Sequence, residues 1–91
     1  VTHQLYIIKD TLAQAPAGPL VVLPHDAVAI RMFQEVANEK SSQIARFLSD
    51  HELLCVGELD TETCTLTALP EPRVVLTGKT LQAVSTLEVE A

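Results

Sequence analysis

The chain has 91 residues, a mass of 9.9 kDa and a formal net charge of −6. That length allows one domain, residues 1–91, with a small core. Hydrophobic residues at 47% against charged ones at 20% exclude a disordered chain. Six basic residues against twelve acidic ones exclude a basic nucleic-acid-binding domain of high pI, though not a local basic patch. Aromatic residues make up only 3%, so the core falls to Val, Leu, Ile and Ala.

Leu5 to Lys9 is β-branched and aromatic, and predicts a first strand. Residues 10–19 contain Ala15-Pro16-Ala17-Gly18-Pro19 and read as a loop. Leu20 to Leu23 predicts a second, short strand closed by Pro24. A helix follows over Ala27 to Asn38, with Asp26 as its N-cap. Ala29, Met32, Phe33, Val36 and Ala37 form its apolar stripe, and Arg31 and Glu35 stand at i,i+4. Gln43 to Leu48 reads as a helical turn or a short strand, with the helical turn preferred. Phe47 occupies an apolar position and reads as core.

Leu53 to Leu59 and Thr65 to Leu69 alternate as the arms of a hairpin around the turn Asp60-Thr61-Glu62-Thr63. Pairing Leu59 with Cys64 sets Cys55 and Cys64 about 13 Å apart along the ladder, too far for a disulfide. Both are expected to be free thiols, as in a reducing compartment. Pro70-Glu71-Pro72 predicts a break, and Arg73 to Thr77 a further strand. Gly78 allows a bend, Lys79 to Leu87 reads as a last strand or an ordered tail, and residues 88–91 are expected to fray. No internal repeat stands out. The fold class expected is α+β: a small, mainly antiparallel sheet with one main helix packed on one face, with room for a second short helix.

Catalytic and metal chemistry find little to stand on. His3, His25 and His51 lack ligand partners at i+3 or i+4, and His51 with Cys55 falls short of a zinc set. Gly18, Gly57 and Gly78 are too scattered for a phosphate loop. Glu58, Asp60 and Glu62 lack the calcium-loop pattern. No cofactor, metal or catalytic residue is expected.

The charges divide unevenly along the chain. Residues 1–50 hold four basic and five acidic groups, whereas residues 51–91 hold two basic and seven acidic ones. Arg31, Lys40 and Arg46, with Lys9, form the candidate nucleic-acid-binding set. Glu58, Asp60, Glu62 and Glu71 form a candidate acidic face for a basic protein partner. Apolar runs such as Leu20 to Leu23 fall far short of a membrane span. Val1 to Leu5 carries neither a basic nor an apolar signal region, so no signal peptide is expected.

Two blocks carry a resemblance. His25 to Asn38 contains Asp26-Ala27-Val28-Ala29-Ile30-Arg31-Met32-Phe33, and Val56 to Thr63 reads Val-Gly-Glu-Leu-Asp-Thr-Glu-Thr. With Leu66 and Pro70, these resemble the small nonstructural protein of gokushovirus-type microviruses, which are phages with single-stranded DNA. The likeness spans roughly residues 4 to 82. Cys64 stands where that family usually has Gly, and His51 where it usually has an aromatic residue nearby.

The resemblance implies a non-enzymatic accessory protein in the host cell cytoplasm, acting in phage genome replication and packaging. It would work by binding a replication initiator, a host helicase, the procapsid or a second copy. Single-stranded DNA binding by Arg31, Lys40, Arg46 and Lys9 is the alternative. Inhibition of a host enzyme or defence system is a third. Leu5 to Lys9 or Arg73 to Thr77, if an exposed strand edge, would offer a site for pairing two copies.

Overall fold

Two long strands with side chains alternating between faces make the centre of the sheet. They are β1 (Thr2–Asp10) and β4 (His51–Asp60), paired antiparallel along their length. The computed structural model describes residues 1–83. β2 (Ala15–Pro16) and β3 (Val21–Leu23) both pair with the far side of β1, and β5 (Thr65–Thr77) pairs with β4. The result is a five-stranded antiparallel sheet in the order β2-β1-β4-β5, with β3 beside β2 along β1. Leu5 to Lys9 is therefore internal; β5 forms one edge of the sheet, and the short β2 and β3 form the other.

One face is covered by α1 (Asp26–Asn38), followed by the short α2 (Gln43–Arg46) and a 3-10 turn over Leu48–Asp50. Ala29 and Phe33 of α1 are fully buried against Tyr6, Ile8, Leu53 and Cys55, and Leu81 closes the cluster. Ser42 joins the two helices. Its hydroxyl donates to the Val36 carbonyl at 3.0 Å and accepts from Ala45 N–H at 3.0 Å. The α+β class, the main helix and the short second helix are as the sequence reads. Phe47 is not core: it is 48% exposed, with the Arg46 guanidinium 5.5 Å above its ring.

Asp26 does not cap α1. His25 is the capping residue, with no side-chain hydrogen bond, and Asp26 is the first helical residue. Its carboxylate is taken up elsewhere. Tyr6 Oη donates to Oδ1 at 2.6 Å, and Arg73 binds both oxygens, at 2.8 and 3.1 Å. One carboxylate thus ties α1 to β1 and β5. The Arg73 pair and the Tyr6 hydroxyl hold Asp26 below the usual carboxylate range. Burial, with the Asp26 bond second, raises the Tyr6 phenol.

Both central strands end in the same turn, a repeat the sequence reading missed. Asp10 Oδ1 accepts from Leu12 and Ala13 N–H, and Asp60 Oδ1 from Glu62 and Thr63 N–H. The next residue, Thr11 or Thr61, donates both its N–H and its hydroxyl to one carbonyl, of Asp50 or Val1. Each turn closes on a left-handed residue, Gln14 at φ 55° or Cys64 at φ 58°. This turn makes β2 out of the expected loop over residues 10–19. It also shifts the β4–β5 register by two from the predicted one: Leu59 faces Leu66, and Asp60 faces Thr65. A shift of two would keep every side chain on its face, but β4 also bulges at Val56, so Leu53 and Cys55 face the helix while Gly57 and Leu59, expected on the same face, point the other way.

Pro70-Glu71-Pro72 does not break β5, which runs on to Thr77. The ladder opens there instead, between Gly57↔Ala68 and Cys55↔Arg73. Proline lacks the N–H that a continuous ladder needs, so the irregularity falls where it costs least. Residues 78–83 are helical and not a strand, and the expectations for residues 84–91 lie outside the described residues. Gly78 serves close approach: a Cβ there would overlap the Leu48 carbonyl and lie 2.7 Å from the His51 carbonyl oxygen.

Three outcomes follow from this packing. Gly78→Ala should destabilise the fold by about 3 kcal/mol, lowering the urea midpoint at unchanged slope; an unchanged midpoint would contradict the close approach. Asp26→Asn should cost about 1 kcal/mol at neutral pH, discounted for the pair's exposure. The folded-state pKa is lowered, so this stability is present above the ordinary value of 3.8 and fades as pH falls through the lowered one. The midpoint difference from wild type should therefore close in acid, and a constant difference would sink the assignment. Cys55 is buried and Cys64 exposed, both free as expected. A thiol reagent should titrate one group in the native protein and both in urea.

Candidate functional site

The cations predicted for nucleic acid do not form one set. Arg31 is exposed on α1, Lys40 is exposed in the loop after it, and Arg46 is exposed on α2. All three belong to the helical layer. Lys9 is half-buried on β1 beside Ile7, on the opposite face of the sheet. Arg31 and Glu35 make no ion pair, since the ion pairs among the described residues are Arg73–Asp26 and a longer His51–Asp10 contact.

The predicted acidic residues are partly gathered. The outer end of the β4–β5 hairpin extends past α1. There Thr2, Glu58, Asp60, Thr63, Thr65 and Thr67 line an open concavity of about 360 Å³. Glu62 is exposed in the turn beside it. The Glu62 and Thr63 amides hold the Asp60 carboxyl below its usual range. Glu71 is exposed farther along β5, between its two prolines.

His51 is buried at the junction of β4 with the 3-10 turn. Its Nδ1 lies 2.8 Å from the Phe47 carbonyl oxygen, which can only accept, so Nδ1 carries the proton. Nε2 is 3.9 Å from Asp10. The ring is part of the packing that holds α2 to the sheet. Among the described residues, no three His, Cys, Asp or Glu side chains gather where they could hold a metal ion. No helix among them is long and apolar enough to cross a membrane.

The surface that the sequence reading passed over is the face of the sheet turned away from α1. Tyr6 and Ile8 point to the helix, so Leu5 and Ile7 point away from it. Cross-strand pairing sets Val22 and Gly57 beside Leu5, Leu54 beside Ile7, and Val74 beside Leu54. Toward the hairpin end, Leu59 and Leu66 continue the same face. Leu5 and Leu54 are buried by their neighbours, but Val22, Leu66 and Val74 are 43%, 62% and 51% exposed. No described element covers this face. Its signal was present in β1, where Leu5-Tyr6-Ile7-Ile8 is apolar on both faces while only one helix long enough to cover a face is predicted.

A search of curated proteins and a search of solved structures each found no match. A family model described as Phage ORF5 protein matches residues 3–81. The match takes in every strand but the first residue of β1, both helices of the covering layer, and the open face. The bacteriophage origin implied by the sequence resemblance stands on that match. The chain belongs to the Phage ORF5 protein family.

Proposed function

We propose that this phage protein acts by binding other proteins and not by catalysis. Its role is that of a nonstructural accessory factor in genome replication and single-stranded DNA packaging. The observation that carries the reading is the uncovered apolar sheet face, on which Val22, Leu66 and Val74 stay exposed. Exposed apolar residues that continue one another across strands mark a docking surface. The microvirus assignment, the host cytoplasm and the partners remain part of this proposal: a viral replication initiator, a host helicase or the procapsid. The acidic hairpin end, with Glu58, Asp60 and Glu62, adds a surface suited to a basic partner.

One observation favours a second reading, direct binding of single-stranded DNA. Arg46 stacks on the exposed Phe47, and Arg31 and Lys40 lie in the same layer. An aromatic ring with cations around it suits a base and its phosphates. Tagged protein purified from infected cells, with nuclease treatment, separates the two. The protein-binding reading expects an initiator, helicase or procapsid protein to be retained after nuclease, and Val74→Glu to lose it. The DNA reading expects a salt-sensitive shift of single-stranded DNA that Arg31→Glu with Arg46→Glu abolishes. A DNA shift with no nuclease-resistant protein would reverse the order of the two.

A further inference from the structure

We infer that the open sheet face is occupied by a second copy of this chain, packed face to face about a two-fold axis. This rests on the reading of that face as a binding surface, and names its occupant. The charges on the face are self-complementary. Lys9 of β1 and Glu52 of β4 are cross-strand neighbours, so they share a face, and Lys9 lies beside Ile7 and Leu54. Neither makes an ion pair among the described residues. An axis running along the strands between β1 and β4 sets Lys9 of each copy over Glu52 of the other. Two ion pairs then close that one chain leaves open.

Shape agrees with charge. A shallow concavity of about 110 Å³ lies over Ile7 and Leu54, walled by Ala15 and Pro16 of β2. Val74 stands on the opposite margin of the same face, beside Leu54 and 51% exposed. The same axis exchanges the two margins and carries Val74 of each copy toward the concavity of the other.

The area suffices as well. The nine paired residues of β1 and β4 make the face about 31 Å long, and four rows of strands about 4.8 Å apart make it about 19 Å wide; with the β2–β3 row only partly filled, the footprint is about 500–600 Å² per copy. Doubled, that clears the roughly 1,000 Å² expected of a specific interface. The acidic end residues Glu58 and Asp60 point to the other face of the sheet. Two chains of formal charge −6 can thus meet without bringing those carboxylates together. Aligned sheet-on-sheet packing of this kind is a common way to bury such a face.

Sedimentation equilibrium of the full chain, from 1 to 200 µM as a rough working range, tests this across affinities from micromolar upward. The result expected is twice the 9.9 kDa mass of one chain. Val74→Glu should weaken the dimer by at least about tenfold. Lys9→Glu should weaken it similarly, and the double exchange Lys9→Glu with Glu52→Lys should restore it. Because Val74, Lys9 and Glu52 lie outside the helix-side core, circular dichroism should show each variant folded. Should Val74→Glu unfold, the charge exchange still decides. A monomer throughout the range overturns the proposal, as does a dimer indifferent to these changes. A monomer whose capture of a viral protein is still lost in Val74→Glu removes the second copy but keeps the face as a binding surface. A monomer with capture unaffected removes both.

Discussion

One helix has to cover a sheet longer than itself. The 13 residues of α1 span about 20 Å, whereas the ten residues of β4 span about 34 Å. The rest of the molecule answers to that mismatch. Where α1 lies, the sheet presents Tyr6, Ile8, Leu53 and Cys55, all buried. Beyond it the same face turns polar, with Thr2, Glu58, Asp60, Thr65 and Thr67. The other face has no helix at all, yet it stays apolar from Ile7 and Leu54 to Leu59 and Leu66.

Asp26 fixes how the helix sits on the sheet. Apolar packing of Phe33 and Ala29 is strong but not directional, and tolerates sliding. A carboxylate that accepts from Tyr6 on β1 and from both terminal nitrogens of Arg73 on β5 does not. It spans the sheet from one long strand to the edge, at the point where the helix begins. Ser42 and His51 do the same at the far end. Ser42 links α1 to α2, and His51 holds the Phe47 carbonyl. The β5 edge is guarded in its own way. Pro70 and Pro72 lack the N–H groups a pairing strand would need, and they stand in the middle of thirteen exposed or half-exposed residues. That guard makes the edge a poor template for strand pairing.

Much of the fold was legible in local pattern. The α1 stripe, the alternation of β1 and the hairpin at Asp60 are written in residues near one another in sequence, whereas the bulge at Val56 that flips the outer half of β4 is not. The misreadings share a cause. Asp26 has the chemistry of a cap, but Tyr6 and Arg73, far away in sequence, compete for its carboxylate and win. Pro70 and Pro72 have the chemistry of a break, but a ladder that opens for four residues of β5 absorbs them. Phe47 has the chemistry of core, but Arg46 takes its face. The twin turns at Asp10 and Asp60 share only an Asp-Thr pair in sequence, so their common geometry shows only in the hydrogen bonds.

The candidate surfaces divide along the same line. The sequence by itself determined the main helix, the long strands and the Asp60 hairpin, the free thiols and the acidity of the second half. These depend on side-chain chemistry and periodicity, which are local. Only the tertiary structure decided which face α1 would cover. It also put Lys9 apart from Arg31, Lys40 and Arg46, and it left Val22, Leu66 and Val74 uncovered. Those outcomes depend on contacts between residues far apart in the chain, where one helix is too few to bury both sides of an apolar sheet.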